Sequence, residues 1–137
     1  MSVIEAFFTA LKSGDPDKVL PLVAGDATIV GVRGEADPRL PIYGTYRGHE
    51  GMRVFLGALR TAFDTEAFEV DEVLESDTLG FASGRFRHRV RHTGRLFVST
   101  WALRARLADG KIAHYLFFED TAALEAAFGV STAEKAA

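Results

Sequence analysis

The chain changes its hydrophobic rhythm once, from a helical period in the first half to an alternating one in the second. Ser2 with Glu5 makes a capping-box signature, and Val3, Ile4, Phe7, Phe8 and Leu11 recur at helical spacing until Gly14. Asp15 and Pro16 supply a cap and a first-turn proline for a shorter helix carrying Val19, Leu20, Leu22 and Val23, which Gly25 ends. Residues 26–32 (DATIVGV) read as a strand and residues 34–41 as a loop. The stretch PIYGTYRGHEGM, residues 41–52, then shapes a short extended segment and a turn. It aims a third helix whose apolar face is Met52, Phe55, Leu56, Leu59 and Phe63. From Phe68 onward the alternation has period two, which predicts strands over 67–76, 79–92, 95–107 and 111–119. TAALEAAFG predicts a final helix, and the domain is expected over residues 1–130 with a disordered tail at 131–137.

Helices followed by a meander of long strands predict an α+β domain with the helices on one face of an antiparallel sheet. Turn chemistry sets a provisional register. A two-residue turn at Thr93-Gly94 pairs position 92 with 95 and 88 with 99, and one at Asp109-Gly110 pairs 107 with 112 and 101 with 118. Phe86, Val90, Phe97, Trp101, Leu103, Leu107, Ile112, Leu116 and Phe118 then share the interior face. Arg85, Arg87, Arg89, Arg91, Arg104 and Arg106 share the exterior. The same register puts His88, Ser99 and Asp120 in one interior row, with His114 nearer the other end beside Ala105. Strands spaced by about 4.8 Å leave a gap of roughly 10 Å between His88 and Asp120, wide enough for a water or a substrate group. Glu119 is expected outside, in the row of Arg87, as an ordinary ion pair.

Composition narrows the function. The 137 residues are 47% hydrophobic and 26% charged, which suits a single domain with a sizeable core. A formal charge of −3 gives no general attraction to nucleic acid or acidic membranes. The arginine stripe could meet phosphates. It shares its face with Leu96, Val98, Thr100, Ala102, Ala113 and Phe117, however, a mixed surface better suited to a homodimer interface than to nucleic acid. No cysteine is present, which excludes disulfides and thiolate metal sites. The four histidines lack ligand spacing, so neither a metal nor a cofactor is expected. The start MSVIEAFF lacks the regions of a signal peptide and no apolar run reaches about 20 residues, so a cytoplasmic protein without a membrane segment is expected.

The order helix, helix, strand, the segment YGTYRGHEG, then strands ending in DGKIAHYLFFEDTAALEAAFG, resembles the SnoaL-like branch of the nuclear transport factor 2-like superfamily over nearly the whole chain. The resemblance implies a cone-shaped fold, with a curved antiparallel sheet wrapped around the N-terminal helices, an internal cavity and a homodimer formed through the sheet. It implies a small, mostly hydrophobic ligand and carboxylate acid-base chemistry of an isomerase, polyketide cyclase or hydrolase. The alternative is a non-catalytic binding or dimerisation module of the same fold. Asp120 aligns with the carboxylate that precedes the last helix in SnoaL-like enzymes, which makes it the expected acid or base, with His88 beside it. Asp120-Thr121 also reads as a helix N-cap, and His88 and His114 also read as interior histidines bonded to backbone or hydroxyl groups. Tyr43, Tyr46 and His49 are expected at the cavity entrance, and Phe86, Ser99, Trp101, His114 and Phe118 on its wall. Asp26 reads as a solvated turn residue, and helix one offers Phe7 and Phe8 where ketosteroid isomerases carry a tyrosine.

Overall fold

A computed structural model of the chain describes residues 1–131. Helix α1 spans Val3–Ser13, with the Ser2 hydroxyl accepting from the Glu5 amide and the Glu5 carboxylate returning to the Ser2 amide. Glu75 ties the same helix end to the sheet, its carboxylate accepting from the Val3 and Ile4 amides at 3.0 and 2.9 Å. Gly14, at φ 76°, closes α1 in the left-handed conformation. Helix α2 follows at Pro16–Val19, capped by Asp15, and a 3₁₀ turn over Leu20–Leu22 leads into strand β1, Val23–Val30.

Strand β2 is Thr45–Arg47 and helix α3 is Gly48–Ala62. Long strands follow at β3 Phe63–Glu75, β4 Leu79–Val90, β5 Leu96–Ala108 and β6 Lys111–Glu119, then helix α4 at Thr121–Phe128. The sheet order is β2-β1-β6-β5-β4-β3. All neighbours are antiparallel except β1 and β6, which are parallel, a correction to the all-antiparallel expectation. Strand β3 also begins four residues earlier than expected, because α3 passes into it at Ala62–Phe63 without a turn residue. Of the expected tail, residues 132–137 lie outside the described residues.

The concave face of the sheet packs on the helices. Ile4, Phe7 and Phe8 from α1, Met52 and Phe55 from α3, and Phe97, Trp101, Leu103 and Ile112 from the sheet are all buried. Burying each such side chain stabilises the fold by roughly 1.5–3 kcal/mol. Gly84 makes this packing close: a Cβ there would lie 2.6 Å from the Trp101 ring and nearly on top of the Glu69 carbonyl oxygen. Only a residue without a side chain lets the indole lie flat across β4, where it stacks on Phe68 and Phe117.

The turns at the two ends of β5 differ in their effect on the sheet's faces. At the β4–β5 turn the Val90 amide donates to the Arg95 carbonyl, so Arg91–Gly94 form a four-residue loop in place of the expected two-residue turn. His88 therefore faces Phe97, and Ser99 faces Phe86. A slip of two leaves every side chain on its expected face. The Asp109-Gly110 turn forms as expected, with Leu107 opposite Ile112, but Arg106 then faces His114, leaving Ala113 as an extra residue. That single-residue bulge inverts the rest of β6. Tyr115, Phe117 and Glu119 take the interior positions assigned above to Leu116, Phe118 and Asp120, and Phe118 is 48% exposed outside, opposite Ala102.

The exterior carries the arginines, and those of β4 at 85, 87 and 89 pair with acids of β3. Arg87 and Arg89 both bond Glu66 through their Nε atoms, at 2.8 and 3.0 Å, and Arg85 bridges Glu69 and Asp71. Between these charges stand Phe81, Leu96, Val98 and Phe118, all exposed.

Candidate functional site

A cavity of about 500 Å³ lies between the helices and the concave sheet. Leu11, Val19, Phe55, Leu56 and Leu59 form its helical wall. Phe63, Phe68, Phe86, Tyr115 and Phe117 form its sheet wall. Its mouth opens where Lys12, Gly14, Asp15, Arg60, Thr65, Glu66 and Ala67, all exposed, gather at the C-terminal ends of α1 and α3 and the start of β3. Val32, Ile42, Tyr115 and Glu119, none of them exposed, complete the lining. An apolar volume of this size with few polar groups is the usual form of a small-molecule site.

Inside the exposed rim that carries Asp15 and Glu66, Glu119 is the carboxyl group on the cavity wall. It ends β6 opposite Trp101, and its Oε2 atom is buried with no hydrogen-bond partner. Burial disfavours the carboxylate form and pushes its pKa up to about 8. At neutral pH the group is predominantly a neutral acid, able to donate a hydrogen bond or a proton into the cavity. Two phenols feel it. Tyr43 is pushed up to about 12, chiefly by burial and secondarily by the charges around it, Glu125 and Glu119 among them, and its hydroxyl is buried without a partner. Tyr115 is raised by burial first and by Glu119 second.

His88 is the second polar group on the wall. Its Nδ1 lies 2.9 Å from the Thr65 hydroxyl, and its ring stacks on Phe63 at 4.5 Å and on Phe86 at 4.2 Å between centroids. Burial pushes its pKa down to about 4, so the ring is neutral in the physiological range.

Of the residues singled out from sequence, His88 and Phe86 line the cavity. Asp120 does not. Its side chain is exposed and accepts from the Ala123 amide at 3.0 Å, capping α4, while its own amide bonds the buried Ser99 hydroxyl. The bulge at Ala113 is the reason, and it likewise places Phe118 outside and His114 in the exterior row with Arg106, between it and Thr28. Trp101 is buried behind the cavity wall, against Phe8, Phe68 and Phe117.

The segment expected at the entrance is structural. The Tyr46 hydroxyl reaches the carbonyls of Pro41, Ile42 and Tyr43, the His49 Nε2 bonds the Val23 carbonyl at 2.7 Å, and the Gly31 amide donates to the Gly44 carbonyl while the Gly44 amide donates to the Arg33 carbonyl. Gly48, at φ 66°, lets the chain turn into α3 where a Cβ would approach the Gly25 carbonyl oxygen to 2.9 Å. Glu119, Tyr115, Phe117 and Thr65 were missed. For Glu119 a signal existed: if Asp120 serves as N-cap, the residue before it is the last of the strand and free to face inward. Among the described residues no group of three or more His, Cys, Asp or Glu is placed to hold a metal ion, and no helix is long and apolar enough to cross a membrane.

Comparison with known proteins places this geometry in context. The SnoaL-like domain family matches residues 4–115. Among solved structures, an NTF2-like protein from Burkholderia xenovorans LB400 is 25% identical, with 92% of each chain covered and a TM-score of 0.79. An NTF2-like protein of unknown function from Burkholderia pseudomallei K96243 is 20% identical, covering 92% of this chain and 94% of its own at a TM-score of 0.80. TerC, co-crystallised with polyporic acid, is 19% identical over 93% of this chain and 95% of its own, with a TM-score of 0.77. No curated protein matches the chain.

Proposed function

This chain belongs to the SnoaL-like domain family, and from that premise we propose that its cavity binds a small, mostly hydrophobic carbonyl compound on which Glu119 acts by acid-base chemistry. The observation that carries the reading is a carboxyl group with a buried, unpartnered oxygen on the wall of an otherwise apolar cavity. An unsatisfied buried oxygen costs on the order of 1–3 kcal/mol, which a ligand oxygen hydrogen-bonded to the neutral acid would offset. The protonated Glu119 donates to the ligand's carbonyl oxygen while a solvent water takes the α-proton; the electron pair of the broken C–H bond becomes the C=C bond of the enol, the carbonyl oxygen gains the Glu119 proton, and the carboxylate left behind is reprotonated from solvent. A structural relative co-crystallised with polyporic acid supports a small-molecule role for the fold.

Hydrogen–deuterium exchange at the α-carbon of 1-tetralone, followed by NMR, tests the reading. The wild type is expected to accelerate exchange, Glu119→Gln to remove the acceleration, and Asp120→Asn to keep it. Equal acceleration by wild type and Glu119→Gln refutes the assignment to Glu119. Binding of the ketone without any acceleration favours the alternative, a non-catalytic binding module of the same fold.

The outer face supports a homodimer. Val98 at 57%, Phe118 at 48% and Phe81 at 47% exposure share one sheet surface, on which Arg85, Arg87 and Arg89 are already paired with β3 acids. A second copy covering this surface would bury its apolar residues while those three arginines keep their partners.

A further inference from the structure

Inside its exposed rim the cavity wall carries a carboxyl and an imidazole at two separated places, and the proposed function uses only the first. Glu119 lies in the row of Trp101 and Gly84, two strands from β4, and His88 lies four residues further along β4. Two strand spacings of about 4.8 Å and four residues of about 3.3 Å each put their backbones roughly 16 Å apart, less at the side-chain ends because the face is concave. Glu119 presents a buried oxygen, whereas the partner of His88 is the exposed Thr65, on the rim.

His88 is built to hold one orientation. Its ring is clamped between Phe63 and Phe86, with interplanar angles of 15° and 28°. Thr65 occupies Nδ1, so Nε2 is the ring's remaining polar atom on a residue that lines the cavity. Between the two polar places the wall is aromatic, from Phe63, Phe68 and Phe86 to Phe117 and Tyr115.

We infer that the cavity reads its ligand at both ends: Glu119 takes one oxygen at its buried carboxyl, and His88, positioned by Thr65, takes a second near the mouth. The ligand class is an elongated, flat, largely apolar molecule of two or so linked or fused rings with a hydrogen-bonding oxygen at each end. This inference rests on the reading of the cavity as a hydrophobic ligand site, and adds His88 as its specificity-determining residue and Thr65 as a positioning residue.

A matched pair of probes, 4-hydroxybiphenyl and 4,4′-dihydroxybiphenyl, tests it by calorimetric titration of the full chain. One additional hydrogen bond is worth roughly tenfold in affinity, so the wild type is expected to bind the diol about tenfold tighter than the mono-phenol. His88→Leu should erase that preference, leaving the diol and the mono-phenol with equal affinities, and Glu119→Gln should weaken both probes. Thr65→Val should reduce the preference and change the His88 tautomer population seen in the imidazole nitrogen shifts, a readout that a merely structural threonine would not move. Equal binding of the two probes by the wild type, or a diol preference that survives His88→Leu, overturns two-ended recognition and leaves the hydrophobic-ligand reading standing. Failure of both probes to bind overturns the two together. Should His88→Leu not fold, the wild-type comparison and Thr65→Val still decide the matter.

Discussion

Replacing Glu119 by glutamine changes how stability depends on pH, by an amount that follows from the structure. The glutamine keeps the shape and has no charge to gain. In the wild type, burial moves the carboxyl from 4.5 to about 8, so the folded state holds a proton that the unfolded chain has already released. Between those values the native state binds more protons than the unfolded one. Stability from this group is therefore complete below about pH 4.5, falls as pH rises, and is gone above about pH 8. At about 1.4 kcal/mol per unit, the loss amounts to roughly 5 kcal/mol, a ceiling because water in the cavity softens it. His88 acts in the opposite sense. Its pKa, lowered from 6.5 to about 4, contributes stability present above 6.5 and lost as pH falls toward 4. The two slopes partly cancel in the acid range, so the informative quantity is the wild-type stability minus that of Glu119→Gln, in which His88 drops out. Urea unfolding, followed by the fluorescence of the single tryptophan, Trp101, measures it from about pH 5 to 9. The difference should fall by several kcal/mol up to about pH 8 and then level off. Parallel profiles for the two proteins would refute the claim that this carboxyl is neutral and enclosed.

Asp120→Ala should cost about 1 kcal/mol through the lost cap of α4 and leave ligand affinity within twofold, as measured by urea unfolding and titration with 1-tetralone. Gly84→Ala should destabilise by about 1–3 kcal/mol or more, because the added methyl meets the Glu69 carbonyl and the Trp101 ring; thermal unfolding and the near-ultraviolet dichroism of Trp101 report it. Val98→Glu, on the outer face, should shift the sedimentation equilibrium from dimer to monomer without altering the pH profile of stability.

The sequence by itself determined α1 and α4 with their caps, the order of all the helices and of the four long strands, and the composition of the two sheet faces through most of β4 and β5, whereas α2 stops at Val19 and gives Val23 to β1, and α3 gives Phe63 to β3. These follow from local chemistry: Ser2-x-x-Glu5, the glycine at 14, the Asp109-Gly110 turn and the alternation of arginine with Phe86 or Val90. An error of two residues at the β4–β5 turn did no harm to the faces, because side chains alternate with a period of two. That error arose because Thr93 is drawn to the Ala127 carbonyl and Arg95 to the Ala126 carbonyl at the end of α4, contacts more than 30 residues distant. The one-residue bulge at Ala113 was decided only by tertiary structure. Strand β6 must pair with β5 on one side and in parallel with β1 on the other, and the ladder with β1 shifts register over the same stretch, between the Val23–Ile112 and Thr28–His114 pairs. No local residue signals that compromise, yet it exchanges the faces of Glu119 and Asp120, and so determines which of two adjacent acids sits inside the cavity and which one caps the last helix.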